Sequence, residues 1–225
     1  MMNTSIDAPF GGAPGRKPLL VCVGDSITQG DTGMGFMAPY PWPQQVGKLL
    51  GVDVRNCGYC GASTTDYRTY QPWQAARAAL PQATVMTIGL GTNDIDLEHA
   101  RDIPALERVA TQLAQIVDEA LAINARMRVV VLSVPQFATA EPIMSRLSSP
   151  IIREMNRAVS MLNDCYVGLC ERRGWMYLDY ADVLNGRREL YGNTIHPNQR
   201  GYDAIAAAIA RELMPILTPT AEKAA

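Results

Sequence analysis

Apolar positions along the chain fall into short unbroken runs separated by longer amphipathic stretches. Leu19-Leu20-Val21-Cys22-Val23 is one such run, and residues 84–90 and 128–134 are two more. Runs of this length bounded by turn residues read as strands buried on both faces. Val52-Asp53-Val54-Arg55-Asn56 alternates instead, and residues 175–179 form a fifth, shorter strand. Between them lie helical patterns. The clearest places Leu106, Val109, Leu113, Ile116, Val117, Ala120 and Leu121 on one face, with Pro104 in the first turn. Residues 44–50, 73–80, 151–173 and 198–214 are the other predicted helices. Strands alternating with helices give a parallel sheet covered on both sides. Right-handed crossovers then make an α/β fold, a three-layer α/β/α sandwich on five parallel strands. The pattern contains no repeat and no linker. It predicts one domain over residues 17–217, with flexible tails at 1–16 and 218–225, and leaves the strand order open.

Composition narrows the functional classes. Apolar residues make up 48% and charged residues 19%, as in ordinary soluble domains. A net charge of −2 offers no footprint for nucleic acid or an anionic membrane. No apolar stretch approaches the roughly 20 residues of a spanning helix. The Gly- and Pro-rich N-terminal stretch has no apolar core of the secretory kind, and five scattered cysteines suggest free thiols. A cytoplasmic location is expected from these features. Cys57-x-x-Cys60 lacks the second pair a zinc site wants, and His99 and His196 are the only histidines. Its glycine neighbours point to loop thiols, and neither metal nor cofactor is expected.

The chemistry gathers at the carboxyl ends of the strands, where open α/β sheets place their ligands. Gly24-Asp25-Ser26-Ile27-Thr28 leaves the first strand, Asn56-Cys57-Gly58 the second and Gly91-Thr92-Asn93-Asp94 the third. Asn193-Thr194-Ile195-His196-Pro197 precedes the last helix. A hydroxyl, a backbone N–H, a carboxamide and an imidazole would meet there, as acyl transfer requires. Ser26 is the candidate nucleophile and His196 the candidate general base. The N–H groups of Ser26 and Gly58 and the amide of Asn93 are the candidate oxyanion donors. Alone, Ser26 or Asn93 would read as a helix cap, Gly58 as a turn glycine and His99 as a surface residue. Tyr40, Trp42, Phe137, Ile143 and Met144, with Phe36, occupy the loops 31–43 and 136–150. They either line a substrate pocket or cover the core.

These four blocks, in this order, resemble the SGNH (GDSL-type) hydrolases over residues 19–217. The resemblance implies a flavodoxin-like strand order of 2-1-3-4-5 and cofactor-free esterase, lipase or related acyl-transfer activity. It also implies an aspartate three residues before the histidine, where this chain has Asn193. An amide oxygen can accept from the ring but carries no charge, and a flipped amide would favour the wrong tautomer. Three explanations stand open: a Ser–His dyad oriented by a backbone carbonyl, a substitute carboxylate such as Asp179, Asp182 or Asp203, or an introduced change at 193. The expected function is a serine esterase acting on small or medium esters, with a small-molecule ester as its only implied partner. An acyltransferase using the same site, or a catalytically impaired acyl- or carbohydrate-binding relic, is the alternative.

Overall fold

The computed structural model describes residues 16–95, 102–138 and 149–218. Its sheet has five parallel strands, β1 (Leu19–Gly24), β2 (Asp53–Gly58), β3 (Val85–Gly89), β4 (Arg128–Leu132) and β5 (Met176–Leu178), in the order β2-β1-β3-β4-β5. The family-implied order is therefore the observed one. The helices are α1 (Ser26–Gln29), α2 (Trp42–Leu50), α3 (Gln71–Ala79), α4 (Ile103–Ile123), α5 (Ser149–Arg173) and α6 (Gln199–Leu217).

Side-chain alternation along β1 divides the core in two. Val21 and Val23 face a layer with Met86, Ile88, Val129, Val131 and the apolar sides of α3, α4 and α5. Leu20 and Cys22 face the other layer, with Val85, Val130, Leu132 and the apolar sides of α2 and α6. Both faces are thus dry along β1, β3 and β4, which is why those strands read as continuous apolar runs, while the edge strand β2 keeps Asp53 and Arg55 exposed and alternates. α2 and α6 each extend by two or more residues past an end that the pattern predicts. α2 begins at Trp42, because Pro43 is tolerated in a first turn that has no use for its missing N–H. α6 runs on past Pro215 to Leu217, which is buried.

Cys57 is a buried residue of β2 rather than of a loop, and Cys60 is exposed in the loop beyond it. All five cysteines are free. Among the described residues no His, Cys, Asp or Glu group has the arrangement of a metal site, and no helix is long and apolar enough to cross a membrane. The tails at 1–15 and 219–225, together with His99, Ile143 and Met144, lie outside the described residues.

Candidate active site

Three glycines end three neighbouring strands at one level. Gly24 of β1 pairs in register with Gly58 of β2 on one side and Gly89 of β3 on the other. The chain turns there into α1, whose N-cap is Asp25. The Asp25 carboxylate accepts the N–H of Ile27 at 2.9 Å, and its own N–H donates to Gly89 O at 3.2 Å. Ser26 is the first residue of α1, so its N–H has no partner within the helix. Its side chain is buried to 3% exposure. Gly58 makes this turn possible, since a Cβ there would strike the backbone N of Gln29 and come 2.6 Å from the carbonyl carbon of Thr28.

The ring of His196 reaches Ser26 across 170 residues of sequence, with Nε2 2.8 Å from Oγ. On the far side Nδ1 lies 3.2 Å from Asn193 Oδ1. The amide of Asn193 is held in one sense. Its Oδ1 accepts the backbone N–H groups of Ile195 at 2.8 Å and His196 at 2.7 Å, and its Nδ2 donates to Gly33 O at 3.3 Å. A flipped amide would aim its N–H bonds at two N–H donors and its oxygen at a carbonyl. With Oδ1 facing the ring, Nδ1 carries the hydrogen and Nε2 keeps the lone pair for the Ser26 hydroxyl. That is the tautomer a general base needs. Gly33 (φ +67°) lets the 31–37 loop close over this edge, because a Cβ there would strike Asn193 Nδ2 and come 2.8 Å from His196 Nδ1.

The carboxylate nearest the ring is one that sequence reasoning missed. Asp31 Oδ2 lies 4.0 Å from His196 Nε2. Asp31 follows Gly30, whose left-handed conformation caps α1 and turns the chain back over the site. Its Oδ1 accepts the N–H of Gly33 at 2.7 Å, and its Oδ2 accepts from the Cys60 thiol at 3.6 Å. Asp203 instead accepts from the side chains of Gln45 and Gln199, and neither Asp179 nor Asp182 is paired with the ring among the described residues. Burial lowers the basicity of His196 from its ordinary 6.5, while the Asp31 carboxylate acts the other way. The ring is therefore neutral at neutral pH.

Two of the candidate oxyanion donors are already partly engaged. The N–H of Gly58 donates to Asn56 Oδ1 at 2.9 Å. Beside that bond, Gly58 contributes the room it leaves for α1. Asn93 Nδ2 donates to Ala62 O at 2.9 Å, which fixes the amide and leaves it a second N–H. Of the two readings of Trp42 and Phe137, burial favours core cover. Both are buried, at 1% and 4% exposure, on the core sides of α2 and of the segment after β4. Trp42 falls in line with Val46 and Leu50 at helical spacing, a pattern that a helix beginning after Pro43 does not include. Tyr40 stays on the surface, as do Met34, Phe36 and Met37 of the loop that covers Asn193.

The model of the GDSL-like Lipase/Acylhydrolase family matches residues 22–204. The chain belongs to that family. Membership makes it a carboxylic ester hydrolase. Solved structures of similar shape include a carbohydrate acetylesterase from Sinorhizobium meliloti, 19% identical with a TM-score of 0.67 over 88% of this chain and 98% of that one. A putative arylesterase from Agrobacterium tumefaciens is 24% identical, with a TM-score of 0.68 over 89% and 100%. The aryl esterase of M. smegmatis is 19% identical, with a TM-score of 0.67 over the same shares. At these identities the likeness speaks for the fold. No curated protein sequence matches the chain.

Proposed function

We propose that this GDSL-family hydrolase is a serine esterase that cleaves small or medium carboxylic esters through an acyl-Ser26 intermediate. The observation that carries the reading is the 2.8 Å approach of His196 Nε2 to Ser26 Oγ, with Nδ1 turned to Asn193 Oδ1. Ser26 Oγ attacks the ester carbonyl as its proton passes to Nε2. The N–H of Ser26 and the second N–H of Asn93 receive the developing oxyanion, and Gly58 joins them if its bond to Asn56 lengthens. Loss of one such donor typically lowers turnover about 10²–10³-fold. The imidazolium then gives its proton to the leaving alkoxide. Water, deprotonated by the same ring, attacks the acyl carbonyl. Collapse releases the acid and returns the proton to Ser26.

A fluorophosphonate probe tests this directly. Stoichiometric labelling at Ser26, lost in Ser26→Ala together with hydrolysis of p-nitrophenyl acetate, is the expected result. An unlabelled protein, or hydrolysis that survives Ser26→Ala, refutes the acyl-serine route. The absence of labelling would favour the binding relic.

A further inference from the structure

The Ser–His–Asn arrangement lacks a negative charge on the Nδ1 side of its ring, yet one lies on the opposite side. We propose that Asp31 supplies, from the Nε2 side of His196, the charge that an uncharged Asn193 does not supply from the Nδ1 side. The proposal rests on the reading of Ser26 and His196 as nucleophile and base. It gives Asp31 a positioning and electrostatic role exerted through the ring, with no contact to the ester.

Geometry supports this in three ways. Asp31 Oδ2 stands 4.0 Å from Nε2, the atom that receives the proton when Ser26 attacks. The distance is too long for a hydrogen bond that would pull the ring from Ser26, and short enough for charge attraction. The proton transfer neither adds nor removes a group at Asp31. It converts a neutral ring beside a carboxylate into an imidazolium beside that carboxylate, so the attraction grows as the reaction proceeds. The carboxylate is also pinned. Oδ1 holds the Gly33 N–H at 2.7 Å, the backbone N–H donates to Ser26 O at 2.9 Å, and the backbone carbonyl accepts from Tyr202 OH at 2.6 Å. Finally, its surroundings are partly dry, with side-chain exposures of 23% for Asp31 and 14% for His196, where screening is weaker than on an open surface.

Other titratable groups face this corner. The Cys60 thiol donates to Asp31 Oδ2 at 3.6 Å, and Asp25 lies behind Ser26 at the cap of α1. Tyr202 approaches from α6 and bonds the backbone rather than the carboxylate. Among these, only Asp31 opposes the loss of basicity that burial imposes on His196.

The test is Asp31→Asn, which preserves size and an acceptor for the Gly33 N–H. Its kcat on p-nitrophenyl acetate is expected to fall about 10–10²-fold. The acidic limb of kcat/KM should also move to lower pH, because a ring without a nearby carboxylate holds its proton less tightly. A thermal melt unchanged within a few degrees shows that the loop remains folded. Asn193→Asp, placed in both backgrounds, separates charge from bracing. A charge role predicts a larger gain in Asp31→Asn than in the parent, since the new carboxylate then replaces the lost one. Equal gains in the two backgrounds, or an acidic limb that stays in place, overturn the proposal. Ser26→Ala stands as the separate control. Activity in that variant would remove the underlying site reading, whereas a dead Ser26→Ala beside a fully active Asp31→Asn would remove only the role of Asp31.

Discussion

A single amide decides whether this site holds the right proton. Replacing a triad aspartate by asparagine costs about 10⁴ in turnover in the serine-protease precedent, chiefly because the ring is left in the wrong tautomer. Here the backbone N–H groups of Ile195 and His196 fix the oxygen of Asn193 toward the ring, so that part of the loss does not arise. What residue 193 itself does not bring is the charge. Asn193→Asp is therefore expected to raise kcat at least about tenfold, well short of 10⁴. The gain is limited by the charge proposed to come from Asp31 and by one contact: the amide N–H that donates to Gly33 O becomes a carboxylate oxygen facing a carbonyl. Steady-state rates on a short-chain aryl ester check this, and unchanged or lower rates would remove the acid position from residue 193. The approach of Ser26, Asn193 and His196 was legible in the sequence because each sits at a fixed offset from a strand end or a helix start. Asp31 was not. A loop aspartate five residues past Ser26 has no periodicity, and only the left-handed turn at Gly30 brings it to the ring.

Elements were read well where burial on both faces made strands continuous, and poorly where proline and aromatic residues met. Trp42 looked like a loop aromatic because Pro41 and Pro43 flank it, although its own spacing to Val46 and Leu50 puts it in the core. Gly58 shows the converse. Its place after β2 was evident, but the reason for it is the packing of one element on another. α1 is four residues long, and its last turn lies against the end of β2 with no space for a side chain. Gly58→Ala must push the Thr28–Gln29 backbone away, and backbone yields less readily than a flexible side chain. The expected cost is about 1–3 kcal/mol, with Tm lower by several degrees. Since α1 carries Ser26, kcat should fall as well. A melt that matches the parent would show that α1 shifts freely, and that the site tolerates the shift if kcat is also unchanged.

At the scale of the whole molecule, the cost of this arrangement is a buried carboxylate at the edge where three strands end. Asp25 is 2% exposed, and burial, with Asp94 nearby, raises its pKa from an ordinary 3.8 to about 6, against the hydrogen bonds it accepts. A carboxyl group raised in this way binds its proton more tightly in the folded than in the unfolded chain. Its contribution to stability is fully present below pH 3.8 and is lost as pH rises through about 6. The active fold at neutral pH thus retains a charge that its core disfavours, on the order of 3 kcal/mol at about 1.4 kcal/mol per pH unit. Asp25→Asn keeps an oxygen for the Ile27 N–H and removes the titration, asparagine being as good an N-cap as aspartate. Urea unfolding of both proteins at several pH values between 4 and 8 isolates this residue, because every other titrating group is common to the two. The parent should lose stability relative to Asp25→Asn as pH climbs, with the change concentrated between about pH 4 and 6 and a plateau above it. A difference that stays constant across the range would mean that the hydrogen bonds from Ile27 and its neighbours fully offset burial, and that the edge where the three strands end carries no such penalty.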